Sequence, residues 1–285
     1  MSENNEDTHN GENFTAFTSP NYVSPVPELG QVGHETSTGE RESVLEKLRD
    51  PNYLPSSQDI FLAFGRNLGR KFQEFCFDDE HPVYEFLNSE HLTALSDYFA
   101  LRSSDLGATS EKPLIILEVG AGNGRLSHFL REKLGEDEKG LVEVIATDAN
   151  VSKDTNPYGI SPVFPVEHIT TDEALRQFNP DIVICSWMPY RADWTPVFRA
   201  TKSVKEYVLL GETDGGCVGS DETWGVPPYD DDWNPIKGYI PLYEQDGFDL
   251  EYLDASKHQI CRTDFVGYIS HSSTVSFKRL TETKK

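Results

Sequence analysis

The chain has 285 residues, 48 of them acidic against 25 basic, for a formal net charge of −23. That charge repels phosphate backbones and no basic stretch offsets it, which argues against nucleic acid as substrate or partner. The 37% hydrophobic and 11% aromatic content can fill a sizeable core, in one large domain or two small ones at roughly 100–200 residues each.

The four cysteines, Cys76, Cys185, Cys217 and Cys261, form no C-x-x-C pair. The expectation is reduced thiols and a cytoplasmic protein. The first residues, MSENNEDTHNGEN, have neither a basic nor an apolar leader region. No apolar run approaches the roughly 20 residues of a membrane span. The histidines and cysteines form no metal-ligand spacing, so no metal is expected.

Residues 1–41 are polar and aperiodic and read as a disordered tail. Residues 42–112 read as an N-terminal helical addition or lid. Ser57 is a candidate cap for a helix carrying Ile60, Phe61, Phe64, Leu68, Phe72 and Phe75 at helical spacing. A second helix is expected from Pro82 to Leu101. Its bland reading is core packing, and its functional reading is a cover for a substrate.

Residues 113–285 alternate strand and helix. PLIILEV, from Pro113 to Val119, is a continuous apolar run suited to a strand buried on both faces. A helix follows over Arg125–Leu134, with Gly135 available to cap it. Further strands are expected at Leu141–Thr147, Val163–Ile169, Asp181–Ser186 and Glu206–Gly211, with a short helix at Asp172–Phe178. Phe248–Leu253 and Thr274–Leu280 alternate like an antiparallel pair. The fold class is therefore α/β. A doubly wound, mostly parallel seven-stranded sheet would carry a C-terminal antiparallel strand and the N-terminal helical addition.

Between the first strand and its helix lies LEVGAGNGRL. Glycines there let the backbone turn tightly and meet a ligand with no Cβ between them. The amides of the following helix then face the bound group. A dinucleotide site wants G-x-G-x-x-G/A, and counting from Gly120 puts Arg125 where close packing wants no side chain. The spacing is instead Glu118-x-Gly120-x-Gly122-x-Gly124. This resembles the glycine motif of class I (Rossmann-like) S-adenosylmethionine-dependent methyltransferases. Two further features agree with it. Asp148 ends the second strand in VIATDAN, where a carboxylate can accept both ribose hydroxyls. YEQDGFDLEYLD resembles the family's Gly-Phe lead-in to its sixth strand. The resemblance spans roughly Leu114 to Leu280.

The resemblance implies S-adenosyl-L-methionine as cofactor and in-line transfer of its methyl group. Gly120, Gly122 and Gly124 would lie beneath the methionine and ribose parts. Glu118 would orient the loop or the methionyl amine. Asp148 would hold the ribose, Ala149 would line the adenine, and Asp172 would meet the adenine amine, unless it only caps its helix.

Ligands in open α/β sheets bind beyond the carboxyl ends of the strands. CSWMPYRADW follows the fourth expected strand, so Ser186, Trp187 and Tyr190 are candidates for the cofactor–acceptor boundary, with Trp187 and Trp194 alternatively plain loop anchors. Related families that methylate base or amide nitrogens often carry Asn/Asp-Pro-Pro-Tyr here. SWMPYR keeps only the final Pro-Tyr, which argues against adenine, cytosine or glutamine as acceptor. The fifth strand leads into GETDGGCVGSDETWG and then PPYDDDW. Carboxylates interleaved with Trp224, Tyr229 and Trp233 raise the expectation of a cationic small-molecule or protein side-chain acceptor. Tyr190, Glu212 and Asp214 are the candidate catalytic residues, the two acids as proton acceptors for an amine. The alternative is a catalytically inactive methyltransferase-like binding protein. The acceptor, the methylated atom and the oligomeric state leave no mark in the sequence.

Overall fold

Apolar segments in the middle of the chain pair into one sheet. The computed structural model describes residues 44–64, 75, 83–137, 140–149, 160–213, 218–260 and 272–280. Among them, helix α1 is Ser57–Phe64 and α2 is Ser89–Asp105. Strand β1 (Leu114–Val119) leads into α3 (Arg125–Asp137), and β2 (Val142–Thr147) precedes α4 (Thr171–Phe178). Then follow β3 (Ile182–Ser186), α5 (Thr195–Ala200), β4 (Glu206–Glu212), and the short helices α6 (Asp221–Trp224) and α7 (Leu242–Gln245). Strands β5 (Phe248–Tyr252) and β6 (Ser272–Arg279) close the chain, with a 3-10 helix, Asp254–His258, between them.

The sheet order is β2-β1-β3-β4-β6-β5. Strands β1 to β4 pair in parallel, whereas β6 runs antiparallel to both β4 and β5. Side chains alternate between two cores because strand residues point to opposite faces in turn. Ile116, Ile184, Val208 and Leu210 pack on one side with Leu92, Leu95 and Phe99 of α2 and Leu126, Phe129 and Leu130 of α3. Val119, Val183, Cys185, Tyr207 and Leu209 pack on the other with Leu175 of α4 and Phe198 of α5. Helix α2 is thus a layer on the sheet. A smaller cluster, including Ile60, Phe64, Phe75 and Phe86, sits under α1.

Several expectations change. Six strands pair among the described residues. The expected strand over Val163–Ile169 touches β2 only through a bridge between Glu167 and Thr147. Pro162 and Pro165 remove amide donors from that stretch, which explains the missing ladder. The second helix starts at Ser89, because Asn88 caps it by accepting the His91 N–H at 2.9 Å. The cap of α1 is Ser56, not Ser57: Ser56 Oγ accepts the Asp59 N–H at 3.1 Å, and Asp59 Oδ2 accepts the Ser56 N–H at 3.0 Å. Helix α3 runs through Gly135 to Asp137. Thr170 caps α4 in a reciprocal box with Glu173, so Asp172 is not the cap. The expected tail, residues 1–41, lies outside the described residues. No described helix is long and apolar enough to cross a membrane.

Candidate functional site

The carboxyl ends of β1, β2 and β3 open into a cavity of about 450 Å³, within the usual range of roughly 300–1,000 Å³ for small-molecule sites. Its floor is the loop between β1 and α3. Gly120, Gly122 and Gly124 all have positive φ, at 67°, 54° and 77°. At Gly120 a Cβ would stand 3.0 Å from the Trp194 ring. At Gly124 it would stand 2.7 Å from Val166 and 3.3 Å from Phe164. The third glycine therefore lets the 160–167 segment lie against the loop. Gly124→Ala should destabilise the protein by roughly 2 kcal/mol through φ strain and overpacking. Thermal unfolding checks this, and an unchanged midpoint would contradict it.

Two carboxylates clamp the loop. Glu118, at the end of β1 and 2% exposed, accepts the Ser127 N–H at 3.1 Å and the Ser127 hydroxyl at 2.5 Å. It thereby ties β1 to an amide in the first turn of α3 that has no partner within the helix. Burial pushes the Glu118 carboxyl up to about 7, against the Ser127 hydrogen bonds and the Arg131 charge, which pull it down. From the other side, Asp148 Oδ2 accepts the Gly122 N–H at 2.9 Å. Both acids line the cavity.

The lip after β3 closes the opposite wall. Trp187 has a φ of 58°, an unusual conformation for a bulky residue and one concentrated at functional sites. Its amide donates to Leu210 O at 2.9 Å, which extends the β3–β4 pairing. Its indole N–H donates to Glu85 Oε2 at 3.0 Å. The Tyr84 ring stacks on Trp187 at 5.8 Å between centroids. Tyr190, exposed, and Trp194 complete an aromatic wall. Both tryptophans of the lip thus face the cavity as well as anchoring the loop.

No known family profile matches the chain, and no curated protein sequence matches it. Among solved structures it is similar to the DszA carbon methyltransferase, at 16% identity over 84% of this chain and 66% of that chain, with a TM-score of 0.41. It is similar to the CMeT domain of the citrinin polyketide synthase, at 14% identity over 65% of this chain and 52% of that chain, with a TM-score of 0.36. It is also similar to the plantazolicin methyltransferase BpumL in complex with SAH, at 10% identity over 85% of this chain and all of that chain, with a TM-score of 0.34. The chain spans about two thirds of the first of these proteins and about half of the second. Likenesses this distant leave the functional reading to the site itself.

The cavity brings together Glu118, Gly120, Gly122, Asp148, Ala149, Ser186, Trp187 and Tyr190. Gly124 lies behind it. Asp172 is exposed in the first turn of α4 and is not part of the lining, whereas its neighbour Thr171 is. Glu212 is buried at the end of β4 and does not line the cavity. Asp214 lies outside the described residues. None of the described residues of the acidic segment lines the cavity. Trp233 is 80% exposed, and Asp230 Oδ1 accepts the Asp232 and Asn234 amides of its own turn. Val83, Tyr84, Glu85 and Leu87 enter the lining from the segment before α2, part of the Pro82–Leu101 stretch expected as core packing or a substrate cover; Ile160 and Ile169 line it too, and sequence reasoning singled out none of the six as a site residue. No motif marks these positions. Burial pushes the Cys185 thiol up, and it packs as core. Among the described residues no group of three or more His, Cys, Asp or Glu could hold a metal ion.

Proposed function

We propose that the protein is an S-adenosylmethionine-dependent methyltransferase. The observation that carries this reading is a cavity floored by a glycine loop that two carboxylates clamp, Glu118 from β1 and Asp148 directly after β2. The residues fit the cofactor. Gly120 and Gly122 offer backbone without side chains, Asp148 stands where ribose hydroxyls need an acceptor, and Ile160 and Ile169 offer apolar contact to a base beside Ala149. When bound, the cofactor would supply an electrophilic methyl group for transfer to an acceptor, leaving S-adenosylhomocysteine.

The chain's part is alignment and exclusion of water. The loop and Asp148 would hold the nucleoside end, and Glu118 would meet the methionyl end, where a carboxylate suits an ammonium group. Ser186, Trp187 and Tyr190 stand at the boundary with the acceptor, a small molecule or a protein side chain. Of the three expected catalytic residues, Tyr190 alone borders the described cavity.

Calorimetric titration of the full chain tests the reading. S-adenosylmethionine should bind with micromolar affinity, about −8 kcal/mol, and NAD should not bind measurably. Binding of NAD in preference to S-adenosylmethionine would overturn the assignment.

A further inference from the structure

Behind the aromatic wall four buried side chains close a ring. Gln259 Nε2–H donates to Glu85 Oε2 at 3.1 Å. Thr274 Oγ1–H donates to Gln259 Oε1 at 2.8 Å. His91 Nε2 lies 3.1 Å from Thr274 Oγ1, and His91 Nδ1 lies 3.3 Å from Glu85 Oε1. Among the described residues neither Glu85 Oε1 nor His91 Nδ1 has a partner in hydrogen-bond geometry, and both atoms are buried.

The donors fix the direction of the ring. Glu85 Oε2 already accepts the Trp187 indole N–H, so Gln259 must present its amide nitrogen there and its oxygen to Thr274. The Thr274 proton is then spent, and Thr274 must accept from His91 Nε2–H. That leaves His91 Nδ1 facing a carboxylate oxygen. Two lone pairs in contact, both out of water, would be strongly unfavourable. His91 Nδ1 is set against Glu85 Oε1, while the Trp187 indole and the Gln259 amide share Oε2.

The consequence falls on the acceptor. Glu85 is not a free negative charge waiting for a cation. It is a positioning residue that fixes the Trp187 indole beneath Tyr84. None of the described residues of the acidic segment that suggested a cationic acceptor lines the cavity, and the neighbouring lining, Val83, Leu87, Met188 and Pro189, is apolar at its side chains or ring. A cationic acceptor would share the cavity with a sulfonium, and like charges in a poorly solvated space repel. We infer that the acceptor side of the cavity takes an uncharged, flat group stacked on Trp187, not an ammonium group. This rests on the methyl-transfer reading and names the acceptor class for it.

The test uses the full chain saturated with S-adenosylmethionine, and two probes that share one ring system. Naphthol is uncharged, and naphthylmethylamine is an ammonium at neutral pH. Tryptophan fluorescence reads their binding. Naphthol should bind at least about tenfold more tightly. In Glu85→Gln the amide oxygen can accept from Trp187 and Gln259 while its N–H donates to His91 Nδ1, so naphthol affinity should stay within about threefold. Glu85→Leu removes the indole's partner and should cost about tenfold or more in naphthol affinity, with S-adenosylmethionine affinity kept. Preference for the ammonium probe would overturn the inference, and so would a Glu85→Gln variant as damaged as Glu85→Leu. Failure of the wild-type chain to bind S-adenosylmethionine would instead overturn the methyl-transfer reading. The probe comparison without cofactor would still rank the wall for or against a cation.

Discussion

Asp148→Ala should weaken S-adenosylmethionine binding by about a hundredfold, or about 3 kcal/mol, the scale of hydrogen bonds to a charged acceptor. Two losses add up. The ribose hydroxyls lose the carboxylate proposed to accept them. The Gly122 N–H loses its acceptor at 2.9 Å, so the loop itself is less fixed before ligand arrives. Asp148→Asn separates the two effects. Its amide oxygen can still take the Gly122 N–H, but the group can no longer accept from both hydroxyls. The asparagine variant should therefore match the wild type in thermal unfolding while losing roughly tenfold in affinity. The alanine variant should lose stability as well, by about 1 kcal/mol. Calorimetry and unfolding of the three proteins check this. Equal cofactor affinity in all three would remove Asp148 from the binding account.

The second large effect is a pH dependence centred on Glu118. Its carboxyl is raised from an ordinary 4.5 to about 7, chiefly by burial. The folded protein therefore holds a proton there that the unfolded chain gives up. With a raised carboxyl the sign is fixed. The site's contribution to stability is greatest below about 4.5 and declines as pH rises through about 7, by about 3 kcal/mol in all. Glu118→Gln keeps an oxygen for Ser127 and carries no charge, so its stability should lack that decline. Binding should show the same proton. An ammonium group brought against Glu118 favours the carboxylate. S-adenosylmethionine binding should release nearly one proton at about pH 6 and almost none at about pH 8. Titrations in buffers of different ionisation enthalpy read this directly. Release that is absent in the wild type, or unchanged in Glu118→Gln, would show that Glu118 does not meet the ligand's charge.

The sheet was legible because continuous apolar runs are hard to read any other way. LIILEV and IVICS are buried on both faces, and their edges fell within a residue or two of the expected positions. The antiparallel β5–β6 pair followed from simple alternation. Where prolines intervene, at 162 and 165, apolar content overstated the strand. The glycine loop and Asp148 were legible because their spacing reflects a backbone need: positive φ and a close approach. The role of Gly124 was not, since only the fold brings Val166 and Phe164 over it. The cavity wall around Trp187 was legible only in part. The carboxylates expected there belong to an acidic run whose described residues do not line the cavity. The wall includes Tyr84 and Glu85, about a hundred residues before Trp187 in the chain. Contacts made across that separation leave no local pattern.

The most direct measurement is a crystal structure of the full chain with S-adenosylhomocysteine. The account predicts the nucleoside over Gly120 and Gly122, its ribose hydroxyls on Asp148, its base beside Ile160 and Ile169, and its sulfur directed toward Trp187 and Tyr190. Density for the ligand elsewhere, or a ribose with no contact to Asp148, would contradict it.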